Sequence, residues 1–209
     1  PIVAYDGTGS TATAATVSEL EGGRLYSFVV SGVSVAGEGD VSAVPFTQST
    51  SPGAPSGLGS EAQTTGSITL EWSAPSASVG ENGASGYMVY RNDGVGGTEM
   101  STVGYDGSSS DALTGTITGL VGGRAYSFVV SALDRGGEGD VSDVFSQSTS
   151  PAAPTALQST LQMTTSITLS WAAPVTESGG ADVTGYILYR NDGSADGAVS
   201  IEVYEADTV

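Results

Sequence analysis

The sequence predicts an all-β chain built of β-sandwiches in tandem, and three observations carry that expectation. A stretch reading LEGGRLYSFVVS…GEGDVS at 20–42 returns as LVGGRAYSFVVS…GEGDVS at 120–142, and SITLEW at 67–72 returns as SITLSW at 166–171. Between these landmarks, short runs alternate apolar with polar residues at a period of two, the mark of a half-buried strand. Gly is 31 of 209 residues, Ser and Thr make up about a quarter, and only 13% are charged. Such a mixture suits strands and turns better than helices. A period of about a hundred residues exceeds that of solenoid or propeller units and lets each copy bury its own core.

Taken in order through the one complete copy, Ile68, Leu70 and Trp72 alternate with Ser67, Thr69 and Glu71. Tyr87 and Val89 then alternate with Met88 and Tyr90, and GYMVYRNDG at 86–94 returns as GYILYRNDG at 185–193. Leu113, Gly115 and Ile117 alternate with threonines; Tyr126, Phe128 and Val130 follow with Ser127 and Ser131 between and after them. Turn signals separate the runs: NG at 82–83, NDG at 92–94, YDG at 105–107 and GG at 122–123. Seven short antiparallel strands in a hundred residues predict a sandwich of two sheets.

Equivalent tyrosines at Tyr5, Tyr105 and Tyr204 place both chain ends inside a repeat. The expected units are therefore 1–51, the back half of one domain; 52–150, a complete domain; and 151–209, the front half of a third. The punctuation TQSTSPGAP at 47–55 and SQSTSPAAP at 146–154 marks the joins. Half a sandwich leaves its inner face and a sheet edge uncovered. The expected partners are accordingly further copies of the same repeat, in this chain or in a neighbouring one.

At this point the residues resemble the fibronectin type III family. Its pattern of an early proline, a tryptophan ending the second strand and a following proline is met by Pro55, Trp72 and Pro75, and again by Pro154, Trp171 and Pro174. Gly86 to Tyr90 is similar to the family's GY-x-VY strand. Its corner L-x-x-G-x-x-Y is matched by Leu120, Gly123 and Tyr126, and by Leu20, Gly23 and Tyr26. The resemblance implies seven-stranded, Ig-like sandwiches in tandem, one complete and two partial. In that fold Trp72 and Leu120, with Trp171 and Leu20 in the other copies, would fill the space between sheets. Tyr126 and Tyr26 would turn their hydroxyls back to the chain at the corner.

Composition excludes several chemistries. With neither His nor Cys there is no Ser-His-Asp or Cys-His catalysis and no ordinary zinc or copper site, and without Lys there is no Ser-Lys pair. Five arginines face 23 carboxylates for a net charge of −18, which repels nucleic acid and anionic membrane surfaces. No apolar run is long enough for a spanning helix, so membrane insertion is not expected. The chain is expected not to be an enzyme, and no cofactor is expected.

Three weaker signals remain. Asp134, Glu138 and Asp140 in the loop LDRGGEGD at 133–140 could gather calcium through oxygen ligands, although their spacing is not that of an EF-hand. The favoured alternative is that GEG supplies positive φ angles for a tight bend. Some family members carry an integrin-binding Arg-Gly-Asp here; in this chain Arg135-Gly136 is followed by Gly137, so that role does not transfer. NDG reads as a strand-connecting turn, and Arg91 and Arg190 as neutralising neighbouring carboxylates. Thr50, Ser51, Thr149 and Ser150 in the linkers are candidate sites for O-linked glycans, against the alternative of a flexible polar linker.

The leading functional expectation is a structural, extracellular segment of a fibre, filament or surface stalk. The alternatives are a recognition module for carbohydrate or protein, and a spacer in a secreted carbohydrate-active enzyme.

Overall fold

A computed structural model describes residues 2–76, 83–175, 180–193, 199 and 201–207. Asn82 of the first turn signal lies outside them. Among the described residues there are sixteen strands and no α-helix, hence none long and apolar enough to cross a membrane. The first unit holds β1 (Leu25–Phe28), β2 (Ser31–Ser34), β3 (Gly37–Val41) and β4 (Phe46–Ser49). Eight strands follow: β5 (Ser56–Gln63), β6 (Ser67–Ser73), β7 (Gly86–Arg91), β8 (Thr102–Gly107), β9 (Thr114–Thr118), β10 (Ala125–Asp134), β11 (Gly137–Val141) and β12 (Phe145–Ser148). The last four are β13 (Thr155–Gln162), β14 (Ile167–Ala172), β15 (Gly185–Arg190) and β16 (Ile201–Asp207).

In the middle unit β5, β6 and β9 form one antiparallel sheet, and β11, β10, β7 and β8 form the other, with β12 also on β10. Both β11 and β12 run along the same side of β10, pairing with its two ends. They are therefore one strand broken near Ser142, and the expected seven strands become eight. The break keeps its hydrogen bonds because the Val130 amide donates to Ser142 Oγ, at 3.1 Å, while the Ser142 amide donates to the Val130 carbonyl, at 2.8 Å. Ser42 and Val30 repeat both bonds in the first unit.

The core lies between the two sheets. Ile68, Leu70, Trp72 and Ile117 face Tyr87, Val89, Tyr126, Phe128 and Val130, all buried, and Leu120 closes one end. Trp72 packs against Tyr87 and Tyr105, ring centres 5.5 and 6.2 Å away, both tilted as aromatic quadrupoles prefer. The third ring position is left open by Gly115, where a Cβ would stand 2.9 Å from the Tyr105 ring and 3.1 Å from Trp72. Gly115 thus belongs to the alternation as a gap. Leu113 does not belong to it, being exposed just before β9, with its carbonyl accepting from the Trp72 amide.

The outer units repeat the sequence but not the burial. Val130 is fully buried, yet Val30 is 73% exposed; Ile68 is fully buried, yet Ile167 is 64% exposed. Trp171 still meets Tyr186 at 5.4 Å, and Leu20, Tyr26 and Trp171 are half-buried.

Replacing the central ring should remove a large share of the net stability of a domain this size. Trp72→Ala is expected to cost about 3–5 kcal/mol, read by chemical denaturation followed through a β10 probe. An unchanged midpoint would show that Trp72 does not hold the sheets together.

Candidate functional site

The loop at 133–140 is a hairpin between β10 and β11, and two of its three carboxylates accept hydrogen bonds from nearby groups. Asp134 Oδ1 accepts the Gly136 amide at 2.6 Å, an aspartate turn that shapes the tip. Gly137 takes φ 108°, the left-handed side that suits glycine, whereas Gly139 does not. The Glu138 carboxylate accepts from Ser131 Oγ and, at 2.8 Å, from the Tyr90 hydroxyl on β7. Ser31 and Glu38 make the equivalent contact in the first unit. Among the described residues no group of three carboxylates is gathered as a metal site would need; Asp134 and Glu138 instead shape and fasten the hairpin, and Asp140 is exposed beside them.

The phenol of Tyr90 reports this fastening. Burial pushes its pKa above the ordinary value, and the hydrogen bond to Glu138 and that group's charge push the same way. The folded state thus holds the Tyr90 proton more tightly than the unfolded chain does.

At the opposite end stands the corner. Tyr126 OH accepts the Val121 amide at 3.0 Å, and Tyr26 OH accepts the Glu21 amide at 2.9 Å. Thr149 completes it: its Oγ1 donates to the Val121 carbonyl at 2.7 Å and accepts the Arg124 amide at 3.1 Å. Thr50 does the same with Glu21 and Arg24. A sugar on either threonine would have to displace these bonds, and Thr149 is only 2% exposed. Ser51 and Ser150 are half-buried, each donating to a backbone carbonyl of the middle unit, Gly136 and Gln63 respectively.

Sequence reasoning missed the work of Asn92. It does not form a tight hairpin turn, since β7 and β8 are separated by residues 92–101. Its buried side chain donates to the Gly97 carbonyl at 2.8 Å and accepts the Ser127 amide at 3.0 Å, so it pins a loop onto β10. Arg91 is likewise not a carboxylate partner: it donates to the Asn92 carbonyl and lies over the Tyr126 ring, 5.4 Å from its centre. Arg190 donates to the Asn191 carbonyl in the same way. The ion pair found among the described residues is instead Arg24 with Glu21.

Two shallow hollows of the described surface carry no paired acid and base. One is lined by Val121, Gly122, Ala152, Pro174 and Val175, and the other by Pro55, Leu58, Val141, Asp143 and Phe145 among others.

With the two sheets, the corner and the central tryptophan in place, comparison with known proteins becomes decisive. Residues 53–148 match the model of the fibronectin type III domain. The middle unit is a fibronectin type III domain. Over 199 residues the chain is 30% identical to Exoglucanase B of Cellulomonas fimi, an alignment covering 87% of this chain and 17% of that protein. Over 139 residues it is 36% identical to Chitinase A1 of Niallia circulans, covering 62% and 18%. The chain thus spans less than a fifth of the length of these relatives. Among solved structures it is similar to the fibronectin type III domain of human fibronectin type III domain containing protein 3, at 25% identity and a TM-score of 0.43, covering 50% of this chain and 91% of that one.

Because the shift at Tyr90 is upward, its stabilising effect is whole below about pH 10, the ordinary tyrosine value, and is lost as pH rises through the raised pKa. Unfolding titrations from pH 8 upward should show an alkaline loss of stability that is smaller in Tyr90→Phe. An identical alkaline limb in the variant would place the proton linkage elsewhere.

Proposed function

We propose that this chain is a non-catalytic spacer of tandem fibronectin type III domains within a secreted polysaccharide-degrading protein. The observation that carries the reading is the likeness to an exoglucanase and a chitinase over most of this chain but under a fifth of theirs. A segment of that proportion, in an enzyme whose chemistry needs paired carboxylates in a cleft, suits a spacer better than a catalytic centre. Glucan and chitin are polymers too large to be taken up whole, so a protein acting on them works outside the cell. A net charge of −18 keeps such a spacer from collapsing onto itself or its neighbours.

The same repeats also suit a fibre or stalk, in which near-identical copies need only their fold. What favours the enzyme spacer is the likeness to Exoglucanase B over 199 residues and to Chitinase A1 over 139, which the fibre reading does not require.

The two readings separate in one experiment. Native protein purified from its source is expected to release soluble sugar from glucan or chitin, while the 209-residue chain alone releases none. Native filaments without hydrolytic activity, or hydrolysis by the isolated chain, would overturn the proposal.

A further inference from the structure

The segment Thr50-Ser51-Pro52-Gly53 joins the first unit to the middle domain, and both sides grip it. On the upstream side the Gly23 amide donates to the Ser51 carbonyl at 2.7 Å, next to the Thr50 bonds to Glu21 and Arg24. On the downstream side Ser51 Oγ donates to the Gly136 carbonyl at 3.1 Å, at the tip of the β10–β11 hairpin.

Two glycines of that hairpin lie directly against the linker backbone. A Cβ on Gly136 would stand 2.4 Å from the Thr50 carbonyl oxygen, and one on Gly139 would stand 2.1 Å from that of Pro52. Neither has a positive φ. The bend itself requires glycine only at Gly137; at 136 and 139 the requirement is close approach of another stretch of backbone.

Gly39 occupies the place of Gly139 in the first unit, and a Cβ there would find only the Gly32 oxygen at 3.6 Å, an ordinary contact.

We propose that the hairpin at 134–139 is a docking surface for the preceding unit, its partner being the backbone of the Thr-Ser-Pro linker, and that this contact makes the joint stiff. Tandem domains otherwise reorient freely unless an interface holds them. Here backbone is clamped between the corner of one unit and the hairpin of the next, so the spacer keeps its direction as well as its length. The joint is independent of whether the array serves an enzyme or a fibre.

Nuclear relaxation on the ¹⁵N-labelled 209-residue chain tests the joint. In the unaltered chain the amides of Thr50, Ser51 and Gly53 should show heteronuclear NOE values as high as those of β7 and β10. Gly136→Ala and Gly139→Ala should each lower the linker values to those of a free tether while hydrogen exchange at Phe128 and Val130 stays unchanged; Gly39→Ala should alter neither. A mobile linker in the unaltered chain, or an ordered one in both variants, would overturn the proposal. So would faster exchange at Phe128 and Val130 in both variants, since the glycines would then serve the sandwich itself.

Discussion

Everything in the middle domain depends on two sheets closing over one ring. Trp72, near the end of β6, reaches across to Tyr87 and Tyr105 on the opposite sheet, through a gap that Gly115 leaves. Burial of this kind is non-directional in itself. Direction comes from the period of two along β6, β7, β9 and β10, which aims the apolar residues of both sheets at the same space.

Polar groups then fix what the core alone leaves loose. Tyr126 and Thr149 tie the corner, Asn92 ties the loop after β7, Ser142 bridges the broken last strand, and Glu138 ties the hairpin to Tyr90. Each satisfies backbone or hydroxyl groups that would be costly to leave unpaired in a partly buried place. The ties of Tyr126, Thr149 and Ser142 recur in the first unit as Tyr26, Thr50 and Ser42, so they belong to the repeat and not to a ligand site.

The sandwich was legible in the sequence because its signals are local. Alternation around Trp72 and Phe128, and turn glycines between the runs, need no knowledge of distant contacts. The corner was legible through the spacing of Leu120, Gly123 and Tyr126. What escaped were contacts between segments far apart in the chain. Nothing near Thr149 in sequence announces its bonds to Val121 and Arg124, and nothing near Gly136 announces Thr50. The partners of Glu138, Ser131 and Tyr90, were hidden for the same reason: they are set by strand pairing and not by spacing.

The fold of the middle domain rests on backbone and side chains held between its two sheets. The most direct measurement is native-state hydrogen exchange along the whole chain. The slowest amides should cluster in β6, β7 and β10, with lasting protection at Gly23, Thr50 and Gly123 in the corners and joint. Slow exchange that avoids β6, β7 and β10 would contradict the dependence of this architecture on the closure of two sheets around Trp72.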